Sequence, residues 1–127
     1  MAHHGAPDII IANAGSGVGT TTELAEDLVH FQDTLDVNVM GMVKTFQPFV
    51  AAMREQKSGT LVGIASVAGY RGMPGSTAYS ASKAAAISYL EGLRIELRNS
   101  GVKVGTICAG FIATPMTDKN PFPMPFI

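Results

Sequence analysis

Three short apolar runs limit the folds open to this chain more than any other feature. Residues 9–12 and 61–65 are nearly continuous apolar runs, and residues 102–107 form a third, more mixed one. Short apolar runs of this kind are typical of strands that are buried on both faces of a parallel sheet. The segments between them are long enough for the helical crossovers that parallel strands need. The sequence therefore predicts an α/β fold with three parallel strands.

Two segments between these runs carry apolar residues at helical spacing. The first spans residues 33–56, and its apolar residues recur at three- and four-residue steps: Leu35, Val39, Met42, Phe46, Phe49 and Met53. The second is expected to begin near Ser76 or Thr77 and to end by Gly101, with a core stripe of Ala86, Leu90, Leu93 and Leu97. This spacing predicts two helices. The apolar surface of the first is wide enough to cover the sheet and to meet a second surface.

A tyrosine and a lysine on the second predicted helix could carry acid/base chemistry. Tyr79 and Lys83 stand four residues apart, so they lie on the same face of the helix. A nearby ammonium favours phenolate over phenol, which makes Tyr79 a candidate general acid/base. Ser66 follows the second apolar run, at the carboxyl end of a predicted strand, where ligands bind in open α/β sheets. Taken alone, the Tyr79–Lys83 pair would first be interpreted as a cation beside an aromatic ring on a surface helix.

The pair is accompanied by further motifs. The chain contains, in this order, Asn13-Ala14-Gly15, Asn38-Val39-Met40-Gly41, the segment that opens at Ser66, and Gly110-Phe111-Ile112-Ala113-Thr114-Pro115. Their order and spacing, from about Pro7 to Met116, resemble the short-chain dehydrogenase/reductase family. The resemblance implies a Rossmann-type, doubly wound parallel sheet, of which this chain holds an incomplete piece with three strands and their helices.

The resemblance also implies an NAD(P)-dependent oxidoreductase that interconverts a carbonyl and a secondary alcohol by hydride transfer. The implied catalytic residues are Asn38, Ser66, Tyr79 and Lys83. The residues implied to bind NAD or NADP are Asn13, Ala14, Gly15, Tyr79, Lys83, Gly110, Ile112 and Thr114. In the family the backbone of the asparagine holds a water in a proton relay toward the lysine. On residue type alone, Asn38 would be interpreted as a solvent-facing or locally kinked position of the helix.

The alternative to an enzyme is a noncatalytic NAD(P)-binding or scaffold protein with the same fold. A scaffold does not need Asn38, Ser66, Tyr79 and Lys83 together, so their joint presence favours the enzyme. The expected partner is a small carbonyl or alcohol substrate, together with a second copy of the chain in a homodimer or homotetramer. An apolar substrate fits the residues in and after the last motif, Phe111, Met116, Phe122, Met124 and Phe126, although packing of that loop explains them equally well.

The glycine-rich segment after the first strand does not match a known phosphate-binding pattern. A dinucleotide fingerprint that begins at Gly15 would need a glycine where Thr20 stands, and a P-loop would need a lysine that is absent. A P-loop nucleotide hydrolase is therefore disfavoured. The sequence favours a flexible glycine turn here.

Part of the fold implied by the resemblance is not found in this sequence. The family's pyrophosphate turn, Thr-Gly-x-x-x-Gly-x-Gly, does not precede Asp8. Three parallel strands in sequential order with right-handed crossovers would also place both connections on one face and leave the other bare. We therefore expect residues 1–127 to be part of a single domain, without its N-terminal βαβ segment and its C-terminal end. This segment alone is expected to be inactive.

Charge and composition exclude several other classes of protein. A formal net charge of −1 without basic clusters argues against nucleic-acid binding. No apolar run approaches the roughly 20 residues of a membrane span, and no signal-peptide pattern is visible, so a cytoplasmic protein is expected. No metal site is expected, because adjacent His3 and His4 would point to opposite sides of an extended chain, and the single cysteine, Cys108, ends an apolar run.

Overall fold

The computed structural model describes residues 5–110 and contains the predicted three-stranded parallel sheet. The strands are β1 (Ile9–Ala12), β2 (Gly59–Ser66) and β3 (Val102–Ala109), with β2 in the centre. In the register of the sheet, Ile11 lies opposite Val62, and Ile64 lies opposite Ile107. The carboxyl ends of β2 and β3 therefore lie side by side, with Ser66 opposite Ala109.

The connection from β1 to β2 contains a glycine-rich loop followed by a continuous helical stretch of three parts. This stretch consists of α1 (Leu28–Leu35), a π-helical segment (Asp36–Met40) and α2 (Gly41–Gln56), and a short 3-10 turn precedes α1. The predicted start at residue 33 was therefore too late. The apolar residues of the first turn, Leu28 and Val29, are 69% and 57% exposed, so they add nothing to the buried stripe by which the helix was recognised.

The helix between β2 and β3 agrees with its prediction. The helix α3 (Thr77–Glu96) follows Ser76, and left-handed backbone at Asn99 and Gly101 turns the chain into β3. Left-handed residues, glycine above all, are the usual way to end a helix. Among the described residues, no helix combines the length and the hydrophobicity that a membrane crossing requires.

Helices α2 and α3 pack on one face of the sheet. Leu61 and the helix residues Phe46, Met53 and Leu90 are at most 1% exposed and belong to the same core cluster. On the opposite face, Ile9, Ile11 and Ile107 are 60%, 58% and 52% exposed in the described part of the chain. This is the one-sided arrangement expected from sequential right-handed crossovers.

A glycine allows the turn after β2 to lie directly on α3. The 3-10 turn Val67–Tyr70 follows β2, and a Cβ atom on Gly69 would come within 2.8 Å of the carbonyl carbon of Lys83 and 2.9 Å of the backbone nitrogen of Ala84. These are backbone atoms of a helix, which cannot move aside separately. Gly69 therefore sets how closely the end of β2 approaches α3.

We expect Gly69→Ala to lower the free energy of unfolding by about 1–3 kcal/mol, because the added methyl group overpacks this contact. Gly72→Ala is the matched control, since a Cβ atom there would meet nothing within 4 Å. Urea denaturation followed by circular dichroism measures both variants. Equal unfolding free energies for the two variants would show that the turn is not packed as described.

Candidate active site

Tyr79 and Lys83 lie on the side of α3 that faces the sheet, close to the carboxyl end of β2. The Nζ atom of Lys83 lies 5.6 Å from the centre of the Tyr79 ring, within the usual range of a cation–π contact. Lys83 is only 5% exposed, and its Nζ donates a hydrogen bond of 3.3 Å to the carbonyl oxygen of Ile64. Burial lowers the pKa of Lys83, because it disfavours the charged form. Tyr79 is partly buried.

Ser66 stands at the same end of β2, two residues beyond the carbonyl that Lys83 contacts. Its side chain is 9% exposed, and its Oγ accepts a 3.1 Å hydrogen bond from the backbone N–H of Ala68. This bond closes the turn that leaves the strand. A hydroxyl has one hydrogen to donate as well as two lone pairs, so Ser66 keeps its own donor for another acceptor.

Asn38 lies in the π-helical segment and is 1% exposed, which excludes the solvent-facing alternative. Its Oδ1 accepts from the backbone N–H of Ser16 at 2.8 Å, and its Nδ2 donates to the carbonyl oxygen of Ser16 at 2.8 Å. The second hydrogen of Nδ2 goes to Oγ of Ser82 at 2.9 Å. The side chain is therefore committed to structure, and the relay role expected of the Asn38 backbone stays a prediction.

The glycine-rich loop after β1 lies against the Tyr79–Lys83 pair. A Cβ atom on Gly15 would lie 3.4 Å from Nζ of Lys83 and 3.5 Å from Oδ1 of Asn38. One on Gly17 would lie 2.8 Å from Cδ2 of Tyr79. The backbone N–H of Thr20 donates to the carbonyl oxygen of Gly75 at 3.0 Å, just before α3. These contacts give the glycines a close-packing role that their spacing in the sequence did not reveal.

Three further predicted site residues lie at the carboxyl edge of the sheet. Asn13 and Ala14 are exposed directly after β1, and Gly110 is exposed directly after β3. Ile112 and Thr114 fall outside the described residues, as do the apolar residues Phe111, Met116, Phe122, Met124 and Phe126. Between residues 5 and 110, no three His, Cys, Asp or Glu side chains group together as a metal site would require.

Sequence reasoning missed two serines that complete this site. Ser16 holds the loop to Asn38 through its backbone, and Ser82 bonds to the same asparagine from α3. No local pattern marks Ser16, because it acts through backbone groups that every residue carries. Ser82 could have been found from its spacing, since it stands four residues before Ala86 and so lies on the buried stripe of α3.

Known proteins resemble this protein over nearly all of its sequence. A sequence model of the short chain dehydrogenase family matches residues 1–122. An uncharacterized oxidoreductase of Myxococcus xanthus is 43% identical over 99% of this chain and 49% of its own length. A 3-oxoacyl-(acyl-carrier-protein) reductase of Synechocystis is 38% identical over 88% of this chain and 45% of its own length. The chain thus spans about half the length of these curated relatives.

Solved structures give the same answer for the fold. A short-chain dehydrogenase from Burkholderia cenocepacia, determined in complex with NADP, superposes with a TM-score of 0.81 and 30% identity over 91% of this chain and 48% of its own. A short-chain dehydrogenase from Streptomyces avermitilis superposes with a TM-score of 0.80 and 31% identity over 91% of this chain and 43% of its own. The predicted fold class is confirmed.

The buried charge of Lys83 has a measurable consequence for stability. Because its pKa is lowered in the folded state, the folded protein loses this proton at a lower pH than the unfolded chain. Between the lowered pKa and the usual value near 10.4, the unfolded state binds more protons at Lys83 than the folded state does. The contribution of Lys83 to the free energy of unfolding therefore rises with pH in this window. We expect the unfolding free energy of the wild type to rise across that window relative to that of Lys83→Met.

Urea denaturation at a series of alkaline pH values measures this difference. Lys44→Met, at an exposed position of α2, is the control and should run parallel to the wild type. If the unfolding free energy of Lys83→Met also varies with pH in parallel with that of the wild type, burial does not destabilise the charged form of Lys83.

Proposed function

The chain belongs to the short-chain dehydrogenase family, and we propose that the protein is an NAD(P)-dependent oxidoreductase that interconverts a carbonyl and a secondary alcohol. The observation that carries this proposal is the placement of Tyr79 and Lys83. A phenol and a buried ammonium share one helix face beside Ser66, at the carboxyl end of a central parallel strand. In open α/β sheets this edge is where ligands bind.

Each side chain then has one step of acid/base work. In reduction, Ser66 and Tyr79 donate hydrogen bonds to the carbonyl oxygen, and Tyr79 passes its proton to that oxygen as negative charge develops there. The ammonium of Lys83 stabilises the phenolate left on Tyr79. Asn38 anchors the relay that returns a proton toward Lys83. In oxidation the proton moves the other way, from the alcohol to the phenolate.

The residues at the sheet edge fit a nicotinamide cofactor. When bound, NAD or NADP supplies or accepts the hydride that changes the oxidation state of the substrate carbon. Nζ of Lys83 has three N–H donors, of which one goes to Ile64, so two remain for the hydroxyls of a ribose. The exposed backbone of Asn13, Ala14 and Gly15 lines the same edge. The NADP bound in the Burkholderia cenocepacia structure supports this assignment.

The alternative of a noncatalytic NAD(P)-binding or scaffold protein is less well supported. A scaffold would gain nothing from burying an ammonium against a tyrosine, because burial of a charge costs free energy unless the charge is paired. The arrangement of Tyr79 and Lys83 is therefore better explained by proton transfer.

We expect Tyr79→Phe in the full-length protein to lower turnover by about 10²–10⁴-fold, because the ring stays and only the transferable proton is lost. Affinity for NADH and NADPH, measured by nucleotide fluorescence, should change little. Tyr89→Phe is the control, since Tyr89 lies on the same helix, partly buried against the core. The proposal fails if Tyr79→Phe and Tyr89→Phe turn over a panel of ketones and secondary alcohols at similar rates.

We also propose that the protein forms a homodimer or homotetramer through its helices. Leu28 on α1, Met40 in the π segment and Ile95 on α3 are 69%, 45% and 57% exposed. Large apolar patches are typical of contact surfaces rather than of a free surface, and in this proposal the three residues contribute to one such patch.

We expect the full-length protein to sediment as a dimer or tetramer at micromolar concentration, and Ile95→Glu to shift it toward smaller species. Leu24→Glu is the control, because Leu24 is 41% exposed but precedes the helices. A wild type that sediments as a monomer would exclude this mode of assembly.

A further inference from the structure

Ser82 occupies a buried position between the two residues that handle the proton. It is 0% exposed and lies on α3 three residues after Tyr79 and one before Lys83. Its Oγ donates to the carbonyl oxygen of Tyr79 at 2.7 Å. A hydroxyl has only one hydrogen, so the contact with Nδ2 of Asn38 must be one in which Ser82 accepts.

These hydrogen bonds all run in the same direction and form a continuous chain of hydrogen bonds. Nδ2 of Asn38 donates to Ser82, and Ser82 donates to Tyr79. Bonds arranged head to tail in this way polarise and strengthen one another. The same amide group also holds both backbone groups of Ser16, so the chain runs from the glycine-rich loop to the first turn of α3.

We propose that Ser82 is a positioning residue, which fastens Asn38 and the glycine-rich loop to the backbone of Tyr79 and so fixes the Tyr79–Lys83 pair against that loop. The loop approaches the pair closely at two points, because a Cβ atom on Gly15 would lie 3.4 Å from Nζ of Lys83 and one on Gly17 would lie 2.8 Å from Cδ2 of Tyr79. Without the hydroxyl, one Nδ2 hydrogen of Asn38 would be buried without a partner. The asparagine would then turn to satisfy it and loosen its hold on Ser16.

A neighbouring serine shows that burial on this helix does not by itself produce such a link. Ser80 is 3% exposed, and its Oγ bonds to none of the residues that the structure describes. Ser80 and Ser82 are thus a matched pair: the same side chain, on the same helix, buried in both cases and bonded across elements in only one. Ser80→Ala is the control for Ser82→Ala.

The inference rests on the proposed function for its kinetic consequence but not for its structural one. In the full-length protein, Ser82→Ala should lower kcat for alcohol oxidation roughly tenfold or more, because small misplacements of catalytic groups are costly. The KM for the alcohol should stay close to wild type, whereas the KM for the cofactor should rise, because Lys83 and the loop that Ser82 fixes line the proposed cofactor site. Ser80→Ala should change neither parameter.

Amide hydrogen exchange provides a measurement that needs no activity. The backbone N–H of Ser16 is held by Asn38 in the wild type. Its exchange rate should be higher than the wild-type rate in Ser82→Ala and equal to it in Ser80→Ala, under conditions where both variants are folded. In an Asn38→Ala background, Ser82→Ala should have no further effect on Ser16. If Ser82 acted by another route, the second substitution would add to the first.

The outcomes separate the inference from the proposed function. Unchanged exchange at Ser16 in Ser82→Ala overturns the inference, and so does faster exchange with wild-type kcat. If the wild type reduces no carbonyl and oxidises no alcohol with either cofactor, the proposed function fails. The exchange comparison between Ser82→Ala and Ser80→Ala then decides the inference alone.

Discussion

The hydrogen bond from Lys83 to the carbonyl oxygen of Ile64 is the contact on which the geometry of the site depends. It joins α3 to the central strand and gives a buried ammonium an acceptor that cannot rotate away. A buried charge is tolerated only where it is paired or hydrogen-bonded, so the protein must keep this approach short. The glycines at positions 15 and 69 serve that requirement, because each lies where a side chain would collide with or crowd Lys83.

Three serines in this region show how placement decides what a hydroxyl does. Ser66 accepts from a backbone N–H and closes the turn after β2. Ser82 accepts from one side chain and donates to a backbone carbonyl, which links two elements. Ser80, on the same helix, bonds to neither kind of group among the described residues. Residue type alone would have assigned all three the same role.

The sequence allowed the strands, the helices and the Tyr79–Lys83 pair to be predicted, because each depends on a local period or spacing. Apolar runs give the strands, and a separation of four residues brings two side chains together on any helix. The contacts of Gly17, Ser16 and Ser82 could not be predicted in this way, since they join segments far apart in the chain. The early start of α1 was missed for a different reason: its first apolar residues face outward.

The π-helical segment around Asn38 sets the phase between the two halves of this helical stretch. A π turn contains an additional residue, and each residue of a regular helix adds a rotation of about 100°. Winding the same residues into a regular α-helix would improve their hydrogen bonds. It would also rotate Phe46 and Met53 by about a quarter turn relative to Thr34 and take them off the sheet. A locally favourable change would therefore be incompatible with the core, so the irregular segment keeps the two halves of the helix in phase with their separate partners.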